Sequence, residues 1–237
     1  MDDATIFISA KTSAVSVSIK VPYFSIIKDK GAMEKLQSVY GDFIQATPAE
    51  GYDVTVTVTR EQWTGKEDEI VQKLSLIRRH VVAGVFEKYL RANREGKVSE
   101  LGPIEYRSTD DTLVTFTPQE RQFTVTYALE FIDKADRELA RVFLTSFANA
   151  SRKAPRAPVM NFKADTIPEK PNYIGTFTFI VNPYSGEDRV ISTVADLVSS
   201  FRNFLHYHIK ASKTYFQSRM RNRVVDLVKI LNRAKQA

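Results

Sequence analysis

There is no cysteine anywhere in the 237 residues. Disulfide stapling and thiolate metal sites are thereby excluded, and a reducing compartment is the natural expectation. Histidine is nearly as scarce, with His80, His206 and His208 the only three. His206 and His208 stand two apart in Leu-His-Tyr-His-Ile, which on a helix sets them about 200° apart, too far round the axis to share a metal. They read as packing or hydrogen-bonded side chains, and no metal or cofactor is expected. A glycine-rich phosphate loop, a nucleophile elbow and an HExxH pair are all missing. The acidic pair Asp110-Asp111 falls where a turn belongs. No residue stands out as catalytic, so no enzyme is expected. No apolar run approaches the roughly 20 residues that cross a bilayer. Met1-Asp2-Asp3-Ala4 has no basic stretch leading into an apolar one, so no secretory signal is expected. The expectation is a soluble cytoplasmic protein.

What is present suffices for a real core. The chain is 43% hydrophobic and Gly and Pro are not enriched, which argues for one large domain or two modest ones and against disorder. Ala14 to Val21 alternates through Val15, Val17, Ile19 and Val21, a half-buried strand ending at Pro22. A helix is expected from about Gly31 to Ile44. Tyr52 to Thr59 carries Val-Thr-Val-Thr-Val-Thr, the clearest strand in the chain. A single helix is expected from about Lys66 to Arg94, because Ile70, Leu74, Ile77, Val81, Val85 and Tyr89 step by three or four.

The pattern then restarts. Ile104 to Arg107, Leu113 to Thr117 and Phe123 to Phe131 read as strands, with turn signals at Ser108–Asp111 and Pro118-Gln119. A helix from about Arg137 to Ala148 leads through a Pro- and Arg-containing loop to strands at Val159–Lys163 and Tyr173–Val181. Leu36 to Phe43 is similar to Leu139 to Phe147, and both segments follow a strand and lead on to another strand and a long helix. A duplicated α/β unit accounts for this. The expected fold is α+β: two similar α/β units of mostly antiparallel sheet covered by helices. Residues 1–80 form the first and residues 81–237 the second, which ends in a long helix from about residue 190.

That last helix carries the main functional signal. Glu187 to Ala237 contains neither Gly nor Pro, and apolar residues recur at helical spacing from Val190 to Leu231. A helix over that span is about 62 Å long, whereas a compact globule of this size is roughly 45 Å across. The stripe Phe216, Met220, Val224, Leu227, Val228 and Leu231 therefore outruns the body available to cover it. A partner helix or subunit is the expected cover, against the alternative of a helix that kinks back over its own chain. Charge is concentrated on the same segment. Arg202 to Lys235 holds nine basic residues and only Asp226 as an acid, so this stretch carries +8 while the whole chain is +6. Arg219, Arg221, Arg223, Lys229 and Arg233 form an electrostatic footprint suited to an acidic polymer, and Arg152, Lys153 and Arg156 are equal candidates. A nucleic-acid-binding module using this basic helix is the alternative function.

The stretch Phe201-Arg202-Asn203-Phe204-Leu205-His206-Tyr207-His208-Ile209-Lys210 continues through Ser218-Arg219-Met220-Arg221 to Leu231-Asn232-Arg233-Ala234. It resembles the C-terminal helix of the actin-related protein 2/3 complex subunit 2 family. Val39-Tyr40-Gly41-Asp42-Phe43, Gly51-Tyr52-Asp53-Val54 and Val85-Phe86-Glu87-Lys88-Tyr89 agree with that family in order. The resemblance implies two similar α/β domains and a C-terminal helix antiparallel to that of subunit 4. It also implies a non-catalytic scaffold at the core of the complex, binding the side of a mother actin filament and supporting branched nucleation in the actin cytoskeleton. Family members carry a helix and strand before the position matching Ala4, and a short tail after that matching Arg233. Neither is found here, so the first unit is expected to be truncated, with an open sheet edge.

Overall fold

Alternation of β-branched and small polar residues builds two antiparallel sheets. A computed structural model describes residues 4–109, 112–120, 122–153, 158–182 and 188–234, without the side chains of 108, 109 and 230–234. The first sheet has the order β1-β2-β3, from β1 (Thr5–Ala10), β2 (Ala14–Lys20) and β3 (Val54–Thr59). The alternation in β2 and β3 delivers Val17, Ile19, Val54, Val56 and Val58 to the core. Ser16 and Ser18 meet Thr57 and Thr55 through 2.9 Å hydroxyl contacts. After β2 come α1 (Phe24–Ile27) and α2 (Ala32–Tyr40), and after β3 come α3 (Arg60–Trp63), α4 (Glu67–Ser75) and α5 (Ile77–Arg94).

The second sheet has the order β4-β5-β6-β8-β7, from β4 (Ile104–Thr109), β5 (Thr112–Pro118), β6 (Phe123–Glu130), β7 (Val159–Ala164) and β8 (Tyr173–Val181). Every second residue of β6 is buried, and Phe177, Phe179 and Val181 of β8 join the same core. Three helices cover that face: α6 (Lys134–Ser151), α7 (Asp188–Ala234) and α5, whose Phe86 and Tyr89 meet Phe116 and Phe123. The strand series β1-β2-β3 and β5-β6-β8 pair alike, each with a helix between its second and third strand and a long helix after it. The repeated plan read from the sequence is thus present, with β4 and β7 added at the two edges of the second sheet.

Several boundaries differ from expectation, each for a local reason. β1 was not anticipated, because Thr5-Ile6-Phe7-Ile8 has apolar residues on both faces and no period-two signal. Among the described residues no strand pairs with its outer edge, and Ile6, Phe7 and Ile8 are exposed. The helix expected over 31–44 is α2 followed by a 3-10 turn at Gly41–Phe43. The single helix expected over 66–94 breaks at Leu76 (φ −93°, ψ 6°), so that α4 and α5 both bury their apolar sides. The helix expected from about Arg137 starts three residues early because Asp133 caps it, its Oδ1 accepting from the Asp136 N–H at 3.0 Å. The Asp110-Asp111 turn, Arg156 and Lys235 lie outside the described residues.

α5 ties the halves together, and residue 80, the expected unit boundary, lies within it. On one side it crosses α2 so closely that a Cβ at Gly84 would stand 2.7 Å from both the Gly31 carbonyl oxygen and the Lys35 Cβ. Buried Glu87 receives Lys35 Nζ there at 2.9 Å. On its other side Arg94 holds Asp188 at 2.8 Å and Arg79 pairs with Asp196, both acids lying on α7. Alanine is intrinsically the better helix former by about 1 kcal/mol, yet the missing space should reverse that sign. Gly84→Ala should lose about 1–3 kcal/mol in chemical denaturation; unchanged or raised stability would contradict the close crossing.

Candidate functional site

α7 is one unbroken helix of 47 residues, about 70 Å long. It begins with Asp188 near the basic C-terminal turn of α5. Arg94 first, then Arg91, holds that carboxyl below its ordinary range. From there Ile191, Ala195, Val198, Phe201, Leu205 and Ile209 pack into the core. Phe201 stacks on Phe177 with centroids 4.4 Å apart, and the buried Tyr127 hydroxyl donates to the Val198 carbonyl at 2.6 Å. Arg202 is buried as well, its Nε donating to Thr112 Oγ1 at 3.2 Å.

The packed part of the helix ends at Lys213. Its ammonium bridges Asp136 (2.9 Å) and Asp133 (3.0 Å) at the start of α6. These contacts push the Lys213 pKa up, and the Asp133 pKa is held down by the Asp136 N–H and then by Lys213. From Thr214 to Lys229 every residue is exposed. Phe216 is 53% exposed, Met220 68%, Val224 60%, Leu227 55% and Val228 47%, with Tyr215 and Val225 beside them. The side chain of Leu231 lies outside the described residues. The expected overhang is therefore present, and the helix does not fold back over its own chain. Each of these side chains is already half covered by its own helix. Covering the remainder is worth roughly 1 kcal/mol apiece, given 1.5–3 kcal/mol for complete burial.

The basic residues share this exposed segment. Arg219 lies over the Tyr215 ring at 5.7 Å and donates to its hydroxyl at 3.2 Å. Lys229 stands 3.8 Å from Asp226. Arg221 and Arg223 form no ion pair with any described residue. Arg152 and Lys153 are also exposed, but they close the far end of α6. Sixteen residues of helix separate Arg152 from Asp136, about 24 Å. α6 and α7 run in opposite directions, since Phe147 meets Phe204 while Asp136 meets Lys213. The two basic groups are thus drawn apart and do not form one patch. The Arg233 side chain is not among those described.

The histidines sit within packing. His206 lies against Phe131 (5.0 Å) and His208 between Phe143 and Phe204 (5.5 and 4.2 Å). His80 Nδ1 stands 3.0 Å from the Tyr40 hydroxyl, which donates to the Lys73 carbonyl at 2.6 Å. Among the described residues no group of three His, Asp or Glu could hold a metal ion, and no helix is long and apolar enough to cross a membrane. The sequence reading missed the Lys213 pin and the exposed Ile132 beside it. Asp133 and Asp136, three apart ahead of an apolar helix, carried the capping signal that could have located both.

Leu227→Asp should leave the unfolding midpoint of the isolated chain within about 0.5 kcal/mol of the parent, the usual range for surface changes. Leu205→Asp, on the same helix but fully buried, should prevent folding. A large loss in Leu227→Asp would mean that the segment is internally packed.

Comparison with known families matches residues 17–237 to the one described as "Arp2/3 complex, 34 kD subunit p34-Arc". The chain is 33% identical over 234 residues to "Actin-related protein 2/3 complex subunit 2" of Dictyostelium discoideum, covering 94% of this chain and 78% of that protein. It is 26% identical over 273 residues to the protein of the same name from Schizosaccharomyces pombe, covering 99% and 84%.

Proposed function

The chain belongs to the family of the Arp2/3 complex 34 kD subunit, p34-Arc, and on that premise we propose that it is a non-catalytic core scaffold of that complex. Membership makes it a component of the Arp2/3 complex, with the other subunits as partners and actin nucleation in the cytoskeleton as the setting. The finer reading rests chiefly on one observation: sixteen consecutive exposed residues of α7 that keep an apolar face. A helix from a second subunit covers that face, and the family resemblance makes subunit 4 the candidate. Phe216, Met220, Val224, Leu227, Val228 and Leu231 form the proposed subunit contact.

The cations around the face are left for an acidic surface, which we read as the side of the mother filament. Arg219, Arg221, Arg223, Lys229 and Arg233 form one proposed contact group, and Arg152 and Lys153 at the far end of α6, with Arg156 next along the sequence, a second. Their separation suits an extended polymer better than a compact ligand. We read the chain as two units, 1–80 and 81–237, the first bracing α5 and the second presenting α7. A cytoplasmic location follows from the same reading. Nucleic acid would use the same cations, but it gives no account of the apolar stripe they flank.

Replacing both Leu227 and Leu231 by Asp should abolish co-purification with the other subunits. Reversing charge at Arg219, Arg223 and Lys229 should leave assembly intact and weaken co-sedimentation of the complex with filaments by about tenfold, as expected for loss of about 1.4 kcal/mol of contact. Normal assembly of the Asp variant would refute the scaffold surface. Unaltered co-sedimentation would remove those three residues from the filament contact.

A further inference from the structure

Helical phase fixes where a covering helix must lie. At about 100° per residue, Val198, Leu205 and Ile209 fall within an arc of about 40°. Phe216 and Leu227 fall in the same arc and Met220 within about 20° of its edge, so the side of α7 that closes the core continues beyond the body without changing direction. His206, Lys213 and Val224 lie within about 20° of one another on the flank of that arc. The first two are the residues that touch the turn between β6 and α6, His206 through Phe131 and Lys213 through Asp133 and Asp136. The exposed stripe therefore starts directly past this turn and on its side of the helix.

At that turn stands Ile132, 88% exposed, the most exposed large hydrophobic side chain among the described residues. An open recess of about 590 Å³ adjoins it, lined by Phe131, Ile132, Asp136 and His206 among others. Both aspartates there are already engaged, Asp133 and Asp136 holding Lys213, and Arg137 Nη1 donates to the Ile132 carbonyl at 3.0 Å, while Lys134 on the rim is exposed. What the corner offers a partner is an apolar side chain on a braced turn. A lone exposed isoleucine needs no explanation by itself; its place at the foot of a longer apolar stripe gives it one.

We infer that the helix covering the free part of α7 ends in this corner, with a large apolar side chain of its terminal turn packed on Ile132 beside the Lys213 bridge. This rests on the scaffold reading and specifies it. The stripe provides a long, weakly registered contact, since one apolar turn resembles the next. The corner provides a stop that sets the partner's register along α7.

The absence of native cysteine gives a direct test. Val224→Cys and Ile132→Cys are each assembled into the complex with a benzophenone maleimide attached, then irradiated. Both positions should capture the same partner polypeptide, and Ile132→Ala should lower the partner's affinity by about threefold or more without moving the unfolding midpoint of the free chain. Capture from position 224 combined with none, or with a different polypeptide, from position 132 overturns the corner assignment and leaves the scaffold reading standing. No capture from either position overturns both.

Discussion

One face of one helix carries the architecture. The side of α7 that bears Val198, Phe201, Leu205 and Ile209 closes the core of the five-stranded sheet, and its continuation bears Phe216, Met220 and Leu227 with no described element packed over them. Up to Lys213 the helix is held by tertiary packing. Beyond it, only its own backbone ladder and local pairs such as Arg219 with Tyr215 support it. Isolated helical turns are marginal in water, and most helical stability in proteins comes from packing an apolar face. A projecting segment of this kind gains its full stability only when a second polypeptide completes it.

The remainder of the chain makes the base of that projection stiff. α5 is wedged between α2, with no room for a Cβ at Gly84, and α7, which it grips through Arg79 and Arg94. Lys213 adds a polar stop on the opposite side of the second unit, where α6 begins. These ion pairs are partly exposed and contribute little stability individually. Their value lies in direction: α7 is fixed near its start by α5 and at its last packed turn by α6. A rod anchored at two points can present its free end at a defined angle to partners that assemble on it.

Much of this was legible in the sequence, and the exceptions share a cause. Val-Thr alternation in 54–59 and the Gly- and Pro-free run from residue 187 announced a one-sided strand and an overlong helix, because in both places the local periodicity is unbroken. Leu76 was not legible as a break, since Leu74 and Ile77 keep helical spacing and only packing turns the chain there. β1 was not legible because both its faces are apolar and neither is buried, so no period marks it. Ile132 was hidden for a related reason. A sequence shows that a residue is apolar, whereas its place beside the last packed turn of α7 follows from a tertiary contact, Lys213 with Asp136, across 77 positions. The basic candidates were legible as charges but not as two separated groups, a division produced by the opposed directions of α6 and α7.

The central claim is that α7 beyond Lys213 is covered by another chain and not by its own. Amide hydrogen exchange, compared between the free chain and the assembled complex, addresses it directly. The account predicts that amides of residues 216–229 exchange rapidly in the free chain while those of 198–209 are protected, and that both stretches become slow on assembly. Slow exchange at 216–229 in the free monomer, or exchange there that assembly leaves fast, would contradict it.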